Sequence, residues 1–200
     1  MEASHPKASA VILSWNGRDF LPDCLNALLA QNYAALETLV VDNGSSDGSA
    51  DLVAERFSQV RLIRNERNLG FSAGNNIGLR EASGDILVLL NQDTVVQPGW
   101  LAALVAGLLA QPDIGIAGGK AMYPDGRLQH GGGRVDERGE GHHFAHGEPD
   151  QGQSDAPRDV DFVTGAGLAI RRRTFEKIGG LDEGFGPAYY EDVDWCFRAR

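Results

Sequence analysis

Apolar residues gather in the first 120 positions into short runs rich in β-branched side chains, at residues 10–13, 36–41, 60–63, 86–90 and 114–117. Between these runs the spacing changes. Leu21, Leu25, Leu28 and Leu29 recur at i, i+4, i+7 and i+8, which is one face of a helix, and Leu101, Leu104, Val105 and Leu108 form a similar stripe. Pro98 suits the first turn of that second helix, where its missing N–H would have no partner anyway. Strands alternating with helices predict βαβ units, and hence an α/β domain whose mostly parallel central sheet carries helices on both faces. In such sheets ligands collect beyond the carboxyl ends of the strands.

Over residues 124–159 the pattern dissolves into glycine, histidine, proline and charged residues. A long excursion is expected there, with a hairpin around residues 131–135. Order resumes at residues 161–171, a strand-like stretch broken by Gly165 and Gly167, followed by a short helix over residues 174–178. Residues 191–200 open a helix that the chain does not finish, which is read as a C-terminal truncation.

Composition narrows the class. With 42% hydrophobic and 23% charged residues, the chain reads as an ordinary globular domain. No apolar run approaches the roughly 20 residues of a membrane span, and residues 1–10 lack the pattern of a secretory signal. Two cysteines, Cys24 and Cys196, without a C-x-x-C pair fit a reducing compartment, so a cytoplasmic location is expected. A net charge of −10 argues against nucleic acid as a partner. An anionic ligand would then be held through metal ions and backbone N–H groups.

Three runs end in small polar or acidic groups: Ser14-Trp15-Asn16-Gly17, Asp42-Asn43-Gly44-Ser45-Ser46-Asp47-Gly48 and Asn91-Gln92-Asp93-Thr94. Turn formation and helix capping explain any one of them, as Ser46 or Asp47 would cap the following helix. All three on one sheet edge favour a ligand site. The Asp42 carboxylate can accept hydrogen bonds from an imide N–H or a ribose hydroxyl. Asp93 closes the run Ile86-Leu87-Val88-Leu89-Leu90, and a carboxylate at the mouth of a buried strand is costly unless paired or metal-bound. Mg²⁺ and Mn²⁺ favour one or two carboxylates together with phosphate oxygens and water, and the Asn91 carboxamide would support that shell. G-x-G-x-x-G and G-x-x-x-x-G-K-[ST] are both missing, which counts against dinucleotide-binding and P-loop domains.

The glycines of the stretch from Asn68 to Gly78 let backbone approach a ligand or a neighbouring helix, and helix packing is the reading favoured for Gly74 and Gly78. Asn75 and Asn76 offer neutral donors to phosphate or sugar oxygens. Farther on, Glu191, Asp192 and Asp194 open the last helix, where the macrodipole favours negative charge. One of them could instead be a general base, and crowding by like charges would raise the pKa of one member. Four of the five histidines, His130, His142, His143 and His146, lie in the excursion; a solvated glycine-rich loop is expected there in preference to a metal site.

With these residues in place, the chain resembles family 2 of the inverting glycosyltransferases, which have the GT-A (nucleotide-diphospho-sugar transferase) fold, and within it the rhamnosyltransferase-like branch. Ser14, Trp15 and Asn16 are similar to the family's first nucleotide-contacting loop, and Val40-Val41-Asp42-Asn43-Gly44 to its second, where Asp42 would contact the base. Asn68 through Asn75, Asn76 and Gly78 match the stretch near the donor. Asn91-Gln92-Asp93-Thr94 resembles the metal motif, usually D-x-D; with Asn91 in first position, Asp93 becomes the metal ligand. Glu191-Asp192 is similar to the family's catalytic Glu-Asp pair, with Asp192 as base, and Gly165 and Trp195 fall on the acceptor side.

The resemblance implies one catalytic domain, with a nucleotide-binding half over residues 1–120 and an acceptor-side half over residues 121–200. It implies a divalent metal, Mg or Mn, a nucleoside-diphosphate sugar donor such as dTDP-rhamnose, and a glycan or lipid-linked acceptor in cell-surface polysaccharide synthesis. Peripheral association with the inner membrane face goes with that role. The competing readings are a non-catalytic nucleotide-sugar-binding domain of the same fold, for which Asn91 leaves room, and a sugar nucleotidyltransferase, which the lack of a basic glycine-rich loop after the first run disfavours.

Overall fold

The computed structural model describes residues 6–186 and 188–200. A six-stranded sheet organises the chain. Its strands are β1 (Ala8–Ser14), β2 (Leu36–Asp42), β3 (Arg61–Arg64), β4 (Ile86–Asn91) and β5 (Ile116–Gly118), joined by β10 (Gly167–Arg171). They lie in the order β3-β2-β1-β4-β10-β5. β1 to β4 are mutually parallel, while β10 runs antiparallel to both β4 and β5. All five apolar runs became strands, with bounds shifted by a few residues.

The helices α1 (Leu21–Leu29), α2 (Ser49–Arg56), α3 (Phe71–Glu81), α4 (Trp100–Leu109), α5 (Arg172–Ile178) and α6 (Glu191–Arg198) cover both faces. Alternation along β1 sorts its side chains. Ala8, Ala10 and Ile12 join one core with Leu21, Leu25 and Leu28 of α1, Val53 of α2, and Leu101, Leu104 and Leu108 of α4. Val11 joins the other with Leu79 of α3 and Trp195 and Cys196 of α6. Near-continuous burial of β1 and β4 is what a strand covered on both faces requires, and it is why those runs read as unbroken apolar stretches.

β10 reaches the sheet from far along the chain, and two consecutive arginines fix it there. The Arg171 guanidinium donates to the carbonyls of Leu108, Gln111 and Ile114 at 2.6, 2.8 and 3.0 Å. Arg172 donates to Ala82 and Gly84 at 2.8 and 2.6 Å. They close the C-terminal ends of α4 and α3, where carbonyls lack helical partners and a positive charge is favoured.

The excursion is more ordered than its composition suggests. β6 (Ala121–Met122) pairs with β7 (Leu128–His130), and β8 (Gly133–Val135) forms a hairpin with β9 (Gly141–His143), so the expected hairpin is present with Gly133–Val135 as its first arm. Pro98 lies outside α4, because Gly99 in left-handed backbone (φ 80°) precedes the first helical residue. Asp47, rather than Ser46, serves the start of α2, its carboxylate accepting the Ser49 N–H at 2.9 Å and the Ser49 hydroxyl at 2.6 Å. Among the described residues no helix is long and apolar enough to cross a membrane.

Gly78 shows how closely α3 sits on the sheet. A Cβ there would overlap Val11 and lie 2.9 Å from Val41 Cγ2, whereas a Cβ at Gly107 of α4 meets nothing within 4 Å. Gly78→Ala is therefore expected to destabilise by about 1–3 kcal/mol through overpacking. Gly107→Ala is expected to stabilise by about 0.5–1 kcal/mol through helix propensity alone. Thermal melts of both variants decide the point: shifts of the same sign would contradict the packing account.

Candidate functional site at the carboxyl edge of the sheet

In strand register, Ser14 is level with Asp42, and Leu13 with Asn91. Three polar strand ends thus share one edge, and side chains tie them together. The Ser46 N–H donates to Asn16 Oδ1 and the Asn16 N–H to Ser45 Oγ, both at 2.9 Å. Gln92 clamps the first loop from the other side: it accepts the Trp15 N–H at 3.1 Å and donates to the Trp15 carbonyl at 3.3 Å. Asn16 takes up left-handed backbone (φ 50°) to make its turn, a conformation Asn tolerates better than most residues. Its amide oxygen organises a loop. The Trp15 indole is left 53% exposed over the edge.

Asp42 is 4% exposed. One oxygen accepts the Ser45 N–H at 3.3 Å, and the other, Oδ1, is buried with no hydrogen-bond partner among the described residues. A cavity of about 370 Å³ adjoins it, lined by Gly44, Ser45, Ser46, Asp51 and Asn65 as well. A buried acceptor without a donor carries a free-energy cost of about 1–3 kcal/mol until something supplies one. Ser14 Oγ at the end of β1 is similarly unpartnered.

Several asparagines have other duties. Asn43 is 1% exposed; it donates to Asn68 Oδ1 and the Gly70 carbonyl at 2.9 and 3.1 Å, and accepts from Asn65 Nδ2 and the Leu69 N–H, both at 3.1 Å. Asn68 Oδ1 also accepts the Gly70 N–H at 2.8 Å. Asn76 donates to the Leu181 carbonyl and to Glu183 at 2.8 and 3.0 Å and accepts the Leu181 N–H at 2.9 Å, tying α3 to the segment before α6. Asn75 donates to Phe71 of its own helix at 3.1 Å. Asn43, Asn68 and Asn76 thus hold the scaffold around the site through these bonds.

Asn91 ends β4. Its backbone N–H donates to the Ala166 carbonyl at 3.1 Å, and its carbonyl accepts the Thr94 N–H at 3.1 Å. Asp93 is exposed, not buried at a strand mouth as expected, and no hydrogen bond engages it among the described residues. Its charge is felt inward: burial first, then Asp93, pushes the Cys24 thiol up to about 12, so Cys24 is inert as a nucleophile.

The loop that receives the Asn91 N–H also receives the last helix. The Gly165 N–H donates to Asp192 Oδ2 at 2.9 Å, while Oδ1 accepts the Val193 N–H at 2.8 Å. Tyr189 and Tyr190 before it hold left-handed backbone (φ 84° and 71°), unfavourable for side chains of this size. The Tyr190 hydroxyl accepts the Gly141 N–H at 3.2 Å, which links α6 to the hairpin. Glu191 is 5% exposed, with Oε2 unpartnered among the described residues. Burial, reinforced by the neighbouring Asp192 charge, raises its pKa above the usual carboxylate range. Trp195 corrects an expectation: it is fully buried, its indole N–H donated to the Gly179 carbonyl at 2.9 Å, so it packs α6 and presents nothing to an acceptor.

Of the four histidines in the excursion, His142, His143 and His146 are exposed as expected, whereas His130 is 1% exposed beneath the His143 ring. Asp136, Glu140 and His142 bring ligand-type atoms within 4.8 Å of one another. Asp136, however, spends its oxygens on the Arg138 and Glu140 N–H groups and on His142, which makes it the clasp of the β8–β9 hairpin. The sequence gives no sign of the contacts of Gln92 and His130, whose partners are 77 and 34 residues away and leave no local trace.

Residues 9–179 match the family described as Glycosyl transferase family 2. The chain is 33% identical over 190 residues to the O-antigen biosynthesis protein RfbC of Myxococcus xanthus, covering 90% of this chain and 15% of that one. It is 28% identical over 208 residues to an N-acetylglucosaminyl-diphospho-decaprenol L-rhamnosyltransferase of Mycobacterium tuberculosis, covering 92% of this chain and 67% of that one. Of two long relatives that it matches above 30% identity, the chain spans 23% and 15% of the length. Among solved structures, the mannosyltransferase PcManGT of Pyrobaculum calidifontis, in complex with GDP-Man and Mn²⁺, superposes with a TM-score of 0.71 at 21% identity, covering 97% of this chain and 52% of that one. The architecture is that of the GT-A fold.

Proposed function

Because this chain belongs to glycosyl transferase family 2, we propose that it transfers a sugar from a nucleoside-diphosphate donor to a hydroxyl of a glycan or lipid-linked acceptor, inverting the anomeric carbon. One observation carries this reading above the others. The loop at residues 164–166 accepts the Asn91 N–H through Ala166 and donates to Asp192 through Gly165, which joins the proposed donor and acceptor sides at a single turn.

On the donor side, the unpartnered Asp42 oxygen only accepts, so it suits a base edge that presents N–H groups, such as an imide or a guanine edge. Asp93 and Asn91 offer hard oxygen donors, and the exposed Asp93 makes no hydrogen bond among the described residues. That set fits a Mg²⁺ or Mn²⁺ ion sharing its shell with phosphate oxygens and water. Such a cation supplies Lewis-acid stabilisation of the departing diphosphate. On the acceptor side, Asp192 takes the proton of the attacking hydroxyl as the new bond forms opposite the leaving group. The Gly165 and Val193 N–H groups fix its carboxylate, leaving lone pairs free to meet the acceptor. Sugar and acceptor classes follow one relative: rhamnose and a lipid-linked acceptor are the first pair to try, with dTDP as the nucleotide tested first.

A thermal-shift screen of nucleoside diphosphates, each with and without Mn²⁺, tests the donor half. At a concentration near 100 Kd the gain is about 2.7 kcal/mol, which for a domain of this size raises the melting temperature by about 5–10 °C. The expected result is such a shift for at least one diphosphate, and only with the cation present. No shift for any of them would overturn the reading.

A further inference from the structure

Behind Asp192, β7 and β9 each deliver one histidine to the same place. The Nδ1 atoms of His130 and His143 lie 2.6 Å apart, with ring centroids at 4.9 Å and planes at 79°. Phe162 packs against both rings, at 5.8 and 5.3 Å. The other nitrogen of His130, Nε2, accepts the Thr164 N–H at 3.3 Å. The very next amide, Gly165, donates to Asp192 Oδ2 at 2.9 Å. Two consecutive N–H groups thus run from a buried histidine to the carboxylate.

The proton positions follow from these contacts. An accepting Nε2 carries a lone pair, so a neutral His130 bears its proton on Nδ1 and donates it to His143. His143 Nδ1 must then carry a lone pair, which puts the His143 proton on its own Nε2. Both rings are neutral in this arrangement. Burial, together with the neighbouring His143, holds His130 down to about 4; burial and then His146 lower His143 as well, against the opposing pull of the Asp192 charge. The second ring selects the tautomer of the first, a task that more often falls to a carbonyl or a carboxylate.

We infer that, granted the glycosyl-transfer reading and Asp192 as its base, His130 is a positioning residue: its Nε2 anchors the Thr164 peptide so that the Gly165 N–H aims Asp192 at the acceptor, and His143 holds the tautomer that makes this possible. Neither ring touches the reacting atoms. His130 acts through one peptide unit, on a turn that also receives the end of β4, while His143, whose ring also feels the Asp192 charge directly, selects the tautomer.

Two substitutions separate this role from packing. His130→Phe keeps an aromatic ring against Phe162 but has no acceptor, whereas His130→Gln can place an oxygen near the lost Nε2. Steady-state kinetics should show His130→Phe with kcat reduced about tenfold to a hundredfold, in line with a misplaced catalytic group, and KM for the donor little changed. His130→Gln should recover most of that loss. In ¹⁵N NMR of the wild type at neutral pH, His130 should show a protonated Nδ1 and an unprotonated Nε2. The Gly165 amide signal should move in His130→Phe and return toward its place in His130→Gln.

Wild-type kcat in His130→Phe, an equal loss in both variants with melts unchanged, or a protonated Nε2 would each overturn the inference. Should His130→Phe fail to fold, His143→Phe, which removes the tautomer partner together with a ring that feels the Asp192 charge, must shift the Gly165 amide signal, and an unmoved signal would overturn the inference. If the wild type transfers no sugar to any acceptor, the glycosyl-transfer reading fails by itself. The tautomer and the Gly165 signal still decide whether His130 and Asp192 are linked.

Discussion

Asp192→Asn is expected to lower kcat about 10³-fold, within the range a positioned general base contributes, while donor binding stays as in the wild type. An amide occupies the same space and cannot take a proton. The substitution also leaves a structural mark that must be kept apart from the chemical one. Both Asp192 oxygens accept backbone N–H groups, from Gly165 at 2.9 Å and Val193 at 2.8 Å. In the Asp192→Asn variant one of those donors must face an NH₂ group, which costs about 1 kcal/mol and lowers the melting temperature by about 2–4 °C. A modest stability loss, a retained thermal shift with nucleoside diphosphate and a collapse of turnover together identify a base. Turnover equal to that of the wild type would remove Asp192 from the mechanism. Glu191 would be a poor substitute: it is 5% exposed, and burial holds its pKa above the usual carboxylate range, so it ionises less readily at the pH where a base is needed.

Residues that announced themselves in the sequence did so because one physical constraint governed them. β1, β2 and β4 are covered on both faces, so their runs had to be almost wholly apolar, and the first polar residue after each run had to mark the sheet edge. Asp42, Asn91 and Asp93 could therefore be located without coordinates. What escaped notice depends on partners far along the chain. Nothing local to residues 167–171 says that β10 inserts antiparallel between β4 and β5; that pairing is settled by the two arginines that close α3 and α4.

The scaffold bonds of the asparagines left no trace in the sequence for a related reason. A carboxamide both donates and accepts, so it satisfies loop backbone as readily as a ligand, and Asn43 spends both its donors and its acceptor that way. A carboxylate only accepts, and a buried one left unpaired, such as Asp42 Oδ1, points to a missing donor. His130 looked like part of a solvated cluster because histidine beside glycine is usually exposed; the pairing of β6 with β7 and of β8 with β9 encloses it instead.

The same contrast between carboxamide and carboxylate sets the second large expectation. Asp93→Ala should abolish the Mn²⁺-dependent part of nucleoside-diphosphate binding, with an affinity loss of about a hundredfold, roughly 2.7 kcal/mol. Asp93 is exposed and makes no hydrogen bond among the described residues, so its removal should leave the melting temperature of the free protein unchanged. The effect is large because Asn91 is neutral: a motif that usually supplies two carboxylates here supplies one, and no second charge compensates for its loss. The reverse change follows from the same reasoning. Asn91→Asp adds a second hard, anionic oxygen donor, and since affinity for such cations rises with ligand charge, it should tighten Mn²⁺ binding about tenfold. Titration calorimetry on both variants, with Mn²⁺ alone and with Mn²⁺ plus diphosphate, checks the pair. If Asp93→Ala binds diphosphate and cation as tightly as the wild type, the cation is held elsewhere and position 93 has no part in it. If Asn91→Asp weakens binding while Asp93→Ala abolishes it, the Asn91 carboxamide has a specific task, such as donating to a phosphate oxygen, that a second carboxylate would oppose by repulsion.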